Sequence, residues 1–436
     1  MEFKIKKIDL IITVFSIVLI IICANNSKYS SFLLLYGIFV NIVLLKKVRH
    51  SKSLFIMYLF FMTYIIYQIP FFFYLIPTAY YTDYRTTEYY TGTLCVHVLF
   101  LSVVNLFLKK ITNRVRITQF IVLKNNNALF FLSFSVLLFI VVFGQSGDSI
   151  LSSGGYGKST VTRFLNLSIY EYYLIFYIIA YKYSNGNKNK IIMINIASIP
   201  YILKNLLFGG RIESLQLLLL MFLMYYDYRI TYKKIAVFSL IAFYVFDLWG
   251  RIRGNPAVLV SGDYSYLMPF NYFTQNSGVL GSHQGDVFHN TVVFFGLFKD
   301  GIFDLNYRIN SFLCFMVSVF IPNKYLPQEY NLWVFSKSIG IRAGGGGLIS
   351  GIIFTWLGVF GVILTGVFLA AIINYYNKII SDKRHLHNEY FVIYFMLAIT
   401  TFPRWFAYSP ITLFKLCLYG IVVLFIFRKA SYLLRT

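Results

Sequence analysis

Charge is scarce in this chain. Asp, Glu, Lys and Arg make up 13% of its 436 residues, and only 16 residues are acidic. An ordinary soluble domain is roughly 25% charged, so a water-soluble fold with a conventional surface is excluded. The few carboxylates form no D-x-D pair and no cluster that could hold Mg²⁺ against a diphosphate. No metal and no cofactor is therefore expected. Cysteine is also rare. Cys23, Cys95, Cys314 and Cys417 form no C-x-x-C pair, and three lie in or near apolar stretches. That excludes a disulfide scaffold and a zinc site. No solenoid-type repeat is visible.

What the chain has instead is apolar material, 58% of it, in blocks of about the length that spans a bilayer, roughly 20 residues each. The blocks predict an all-α polytopic membrane protein with about twelve transmembrane helices. They lie at 8–24, 30–45, 54–77, 93–108, 128–144, 166–182, 191–208, 212–227, 235–250, 348–376, 389–403 and 411–427. The first follows Lys4, Lys6 and Lys7 without a small-residue cleavage site, as in a retained signal-anchor helix.

With the N-terminus inside, every inner segment carries at least three Lys or Arg, among them Lys46/Lys47/Arg49, Lys182/Lys188/Lys190 and Arg428/Lys429/Arg435. The positive-inside rule thus gives an N-in, C-in topology. The net charge of +23 is explained by these segments, so no nucleic-acid partner is implied. Three regions follow: a bundle of spans 1–9 over 1–250, a large outer loop over 251–347, and spans 10–12 over 348–436. The loop is too long for a bare connection. Within it, Ile309 to Ile321 is apolar but too short to span, which predicts an interfacial or re-entrant helix.

Five arginines fall at or near outer span ends: Arg211, Arg251, Arg253, Arg342 and Arg404. Insertion asks for no positive charge on that face, whereas a guanidinium fork suits phosphate oxygens. They are the candidate diphosphate-binding residues. If Arg251 to Arg253 is extended, the two share a face. Candidate bases are His283, Asp286 and His289 in GSHQGDVFHN, and Glu213, which also suits a helix first turn. Glu171 lies within a span, and Tyr80, Tyr81, Tyr84, Tyr89 and Tyr90 cluster in an outer loop. Gly157-Lys158-Ser159-Thr160 imitates the end of a P-loop, but the required earlier glycine is Ser152.

Residues Ala343 to Phe368 read AGGGGLISGIIFTWLGVFGVILTGVF, a glycine turn opening into an apolar span. Gly346-Gly347, Ser350, Gly358 and Gly361 of this stretch, with Arg211 after Gly209-Gly210 and Arg404 in a late outer loop, resemble the Wzy-type O-antigen or capsule repeat-unit polymerases. Where members of that family often carry a carboxylate after the serine, this chain has Phe354-Thr355-Trp356. The resemblance implies a membrane glycosyltransferase at the outer face of a bacterial inner membrane. Donor and acceptor would be glycans on undecaprenyl diphosphate, with membrane lipid around them and a chain-length regulator of the Wzz type as a further partner. A ligase passing glycan to lipid A core, or a polysaccharide flippase or transporter, are the alternatives.

Overall fold

In lipid a backbone must satisfy its own hydrogen bonds, so apolar blocks of this length become helices. A computed structural model describes residues 5–73, 87–111, 121–147, 159–161, 163–164, 167–208, 211–226, 230–254, 283–338, 346–381 and 389–433. In chain order the helices are α1 (Lys7–Asn25), α2 (Ser30–Val48), α3 (Lys52–Ile66), α4 (Ile69–Phe72), α5 (Thr87–Phe107), α6 (Asn127–Phe143), α7 (Tyr173–Tyr183), α8 (Lys188–Phe208) and α9 (Arg211–Tyr225). They continue with α10 (Tyr232–Gly254), α11 (His283–Lys299), α12 (Leu305–Val317), α13 (Leu332–Ser338), α14 (Ile349–Ser381), α15 (Glu389–Thr400), α16 (Phe402–Ala407) and α17 (Ile411–Leu433). Two short antiparallel ribbons interrupt them. Strand β1 (Gln145–Gly147) pairs with β2 (Ser159–Val161), Ser146 opposite Thr160, and β3 (Arg163–Phe164) pairs with β4 (Leu167–Ser168). Ser159 and Thr160 thus open a strand, where a P-loop needs a helix.

The first helix shows why this fold belongs in a membrane. Around α1, Ile8, Ile11, Val14, Phe15, Val18 and Ile21 are exposed, while Asp9, Thr13 and Ser16 are buried. A soluble helix would show the reverse. Among the described residues, five helices are long and apolar enough to cross a membrane: α1, the stretch Ser27–Val48 containing α2, α5, α14 and α17. The chain is a helical membrane protein. Other apolar blocks become shorter helices. The block at 54–77 yields α3, ending at Ile66, then a turn and the four-residue α4. Of the block at 166–182, α7 covers only the second half, after a 3-10 turn over Ile169–Tyr172.

The chain divides into two compact units. The first comprises Met1–Arg114, Pro269–Ser381 and Arg404–Ile411. Its central helix is α5, packed against α1, α2, α11 and α14. Two polar contacts join it to its neighbours: Ser102 Oγ lies 2.7 Å from Ser16 Oγ, and Lys47 Nζ donates to Asn105 O (2.5 Å) and sits 2.9 Å from Asp9 Oδ2. Lys47, read from sequence as an inner-loop charge, is buried in that ion pair.

Within this unit α14 is broken. A straight 33-residue helix would be about 50 Å long at ~1.5 Å per residue, well beyond a ~30 Å hydrocarbon core. Gly358 adopts φ 63°, ψ −156°, a conformation that favours glycine, and splits the helix into two arms. The first arm stays near one level of α5, since Ser350 bonds His97 while Phe354 stacks on Phe295, whose ring abuts Gly92. The second arm runs alongside α5: Gly366 meets Phe100 and Val103, and eight residues later Asn374 bonds Phe107 O and Lys109 N. The block expected as one span over 348–376 is therefore two helical arms, a half-helix before Gly358 and a longer arm after it.

The second unit comprises Val115–Met268, Asp382–Pro403 and Thr412–Thr436. Tyrosines order its interior. The Tyr173 and Tyr201 rings stack at 4.0 Å, Tyr177 Oη donates to Asn195 Oδ1 (2.6 Å), and Tyr183 Oη donates to Phe427 O (3.1 Å). Lys204 Nζ donates to the Val141 and Val142 carbonyls at 2.7 and 2.8 Å. These are orphan carbonyls of the last turn of α6, where a cation is favoured. Lys182, a second expected inner-loop charge, is instead buried and ion-paired with Glu389, and it also donates to Val122 O (3.0 Å).

Candidate functional site

The glycine turn is where distant parts of the first unit converge. Gly346 to Ser350 are all buried. A Cβ on Gly346 would lie 2.5 Å from the Ala407 carbonyl oxygen and 2.8 Å from Tyr408 Cα, so only glycine lets these backbones meet. On the other side the turn rests on α11. Leu348 N donates to Thr291 Oγ1 (2.8 Å), and Thr291 Oγ1 donates to Val287 O (2.8 Å). The hydroxyl thus ties α11 to the residue that opens α14.

Two buried histidines lie on the helices beside this junction, His97 on α5 and His289 on α11. His289, one of the expected bases, is buried, with Nδ1 2.9 Å from Tyr90 Oη. For Nε2 to accept a proton, Nδ1 must carry the hydrogen and donate it to Tyr90. On sequence alone Tyr90 is placed in an outer loop. It lies instead in the first turns of α5, its ring buried and stacked on Phe71 at 4.0 Å. Tyr89 Oη donates to Asp300 Oδ1 (2.6 Å), fastening the start of α5 to the end of α11.

His97 is the residue that sequence reasoning missed. It sits midway along α5, fully buried, with Nδ1 3.0 Å from Oγ of Ser350, the serine of the glycine motif. Its Nε2 has no partner among the described residues. The Phe406 ring lies 6.0 Å away and itself stacks on Phe61 at 3.5 Å. A histidine inside the apolar block 93–108 was the available signal, because an intramembrane ionisable residue is a functional candidate by default.

Of the expected arginines, Arg404 is placed here. It lies in α16, half-buried, with its guanidinium 6.0 Å from the Tyr408 ring, on the segment that covers the glycine turn. The side chains of Arg211, Arg251, Arg253, His283 and Asp286 lie outside the described residues, as do Arg342, Tyr80, Tyr81 and Tyr84 altogether. Their backbones, where described, correct one expectation. Arg251 and Arg253 belong to the helical end of α10, not to an extended strand. Positions two apart in a helix differ by about 200°, so they do not share a face. Glu213 is buried in the first turn of α9, and Glu171 is buried in the 3-10 turn before α7. Both belong to the second unit.

A further arginine is placed by the break in α14. With Gly358 out of helical conformation, the Thr355 carbonyl loses its partner four residues on, and Arg308 Nε of α12 donates to it (2.9 Å). The guanidinium lies 4.6 Å over the Phe298 ring. Burial lowers its pKa from the ordinary value, yet arginine stays cationic at neutral pH. Next to it, Trp356 Nε1 donates to Ser311 Oγ (2.9 Å), seating α12 on the half-helix. Among the described residues, no group of three or more His, Cys, Asp or Glu could hold a metal ion. No family model, no curated protein and no solved structure matches the chain.

Proposed function

We propose that this chain is a multi-pass enzyme of a bacterial inner membrane that polymerises undecaprenyl-diphosphate-linked repeat units into O-antigen or capsular polysaccharide. The twelve-span, N-in/C-in topology belongs to the same reading. One observation carries it: the glycine turn, the Arg404 segment and the helix bearing His289 meet in one place, though they lie far apart in sequence. Phosphoryl oxygens need fixed cationic donors, and an attacking sugar hydroxyl needs a base. Arg404 supplies the first and His289, oriented by Tyr90, the second. The lipid diphosphate leaves with the bonding electrons, the hydroxyl oxygen joins the anomeric carbon, and its proton passes to the base. A chain-length regulator of the Wzz type is the further partner expected.

Two observations favour a second reading. A discontinuous helix, here broken at Gly358, and a buried mid-helix histidine, here His97, are features of transporters. Deleting the gene separates the two. A polymerase loss leaves single repeat units on surface lipid, whereas loss of a flippase removes surface glycan altogether. In the complemented strain, Arg404→Lys is expected to reduce polymer synthesis about tenfold, because an ammonium cannot make the bidentate contact. Full-length polymer at wild-type yield from that variant would remove Arg404 from diphosphate binding.

A further inference from the structure

The helix α12 is too short to span, at 13 residues or about 20 Å. Its outward stripe is nonetheless apolar: Leu305, Ile309, Leu313 and Met316 are all exposed. At 100° per residue they occupy an arc of about 80°. Ser311 and Phe315, on the opposite side, are buried against Trp356. Arg308 falls at the boundary, about 60° round the axis from Leu305. Its Nε is held by the Thr355 carbonyl and its plane by the Phe298 ring. It makes no ion pair among the described residues, and the nearby carboxylate of Asp304 is used to cap α12, accepting from Tyr307 N (2.7 Å).

A fixed guanidinium at the edge of an exposed apolar stripe has the pattern of an amphiphile's complement, anionic head beside hydrocarbon tail. A stripe meant only for bulk lipid tails needs no cation at its margin. A guanidinium meant only to repair the kink would need only its Nε. We infer that α12 and the break in α14 form a binding site for a lipid phosphate, with the Nη groups of Arg308 on the phosphate and the chain along Leu305, Ile309 and Leu313. This goes beyond the proposed glycosyl transfer and does not depend on it. The occupant is a phospholipid of the surrounding leaflet, whose single head-group phosphate beside hydrocarbon matches one guanidinium beside one apolar stripe.

Arg308→Gln separates anchor from repair, because the Gln Nε2 occupies the place of the Arg Nε and can still donate to Thr355. Full-length protein in zwitterionic detergent is titrated with dioctanoyl phosphatidate, dioctanoyl glycerol and inorganic phosphate, with native mass spectrometry as the readout. Wild type is expected to bind phosphatidate at least tenfold more tightly than either other probe. Arg308→Gln is expected to lose that advantage and keep its melting temperature. Leu313→Ser is expected to weaken phosphatidate binding without affecting inorganic phosphate. Phosphatidate binding unchanged in Arg308→Gln overturns the site, as does inorganic phosphate binding as tightly as phosphatidate. Loss of melting temperature in Arg308→Gln with binding retained would leave Arg308 as a repair of the kink alone. Because binding is read without activity, a chain that fails to polymerise glycan can still pass this test.

Discussion

Glu389→Gln is expected to destabilise the protein by about 3–5 kcal/mol, the range found when one partner of a buried ion pair is removed. Lys182 is about 1% exposed, paired with Glu389, and bonded to Val122 O. Once the carboxylate is gone, the buried ammonium keeps the Val122 carbonyl and loses its opposite charge. The cost lies in that abandoned charge and not in the pair as such. The double variant Lys182→Met, Glu389→Leu, which removes both charges at similar volume, is therefore expected to recover most of the loss. Unfolding of the purified protein in detergent measures both. A single variant as stable as wild type would mean that the pair is hydrated and the burial transient.

The same pair shows how far the sequence could be read. Lys182 and Lys47 lie among basic residues after apolar blocks, and hydropathy alone marks them as inner-loop charges. Their partners, Glu389 and Asp9, are 207 and 38 positions away in the chain. Nothing local distinguishes a lysine that faces water from one folded back onto a carboxylate. The helical class was legible because span-length apolar blocks with so little charge have few other solutions in lipid. The helix α11 was not, because His289, Asn290 and Thr291 interrupt its apolar run and made the region read as loop. Those polar residues are buried. They interrupt the hydropathy for the same reason that they bind the junction.

The glycine row after Ala343 was legible as a feature but not in its division of labour. Gly346 yields space to backbone, Gly358 takes a backbone conformation suited to glycine, and Gly366 admits the side of α5. Spacing alone cannot separate these three uses, because each depends on what faces the glycine. Arg308 was hidden for a related reason. It acts on a carbonyl that becomes free only because α14 breaks, and the break is a property of the folded chain.

Gly351 offers the sharpest test of the junction. A Cβ there would fall onto Thr291 Cγ2, and Thr291 cannot swing away freely, because its hydroxyl both donates to Val287 O and accepts from Leu348 N. Gly351→Ala is therefore expected to cost about 1–3 kcal/mol, the usual penalty for overpacking, although alanine is the better helix former. Thr291→Ser removes the offending methyl and keeps the hydroxyl and both its bonds. On its own it should cost about 1 kcal/mol or less, close to the loss of one buried methyl group. Added to Gly351→Ala, it should restore stability to near that of the serine variant alone, a coupling of about 1–2 kcal/mol between residues 60 positions apart in the chain. Additive losses in this double-mutant cycle would mean that Gly351 and Thr291 do not meet. The glycine turn, α5 and α11 would then have to be assembled differently from the junction that carries the proposed chemistry.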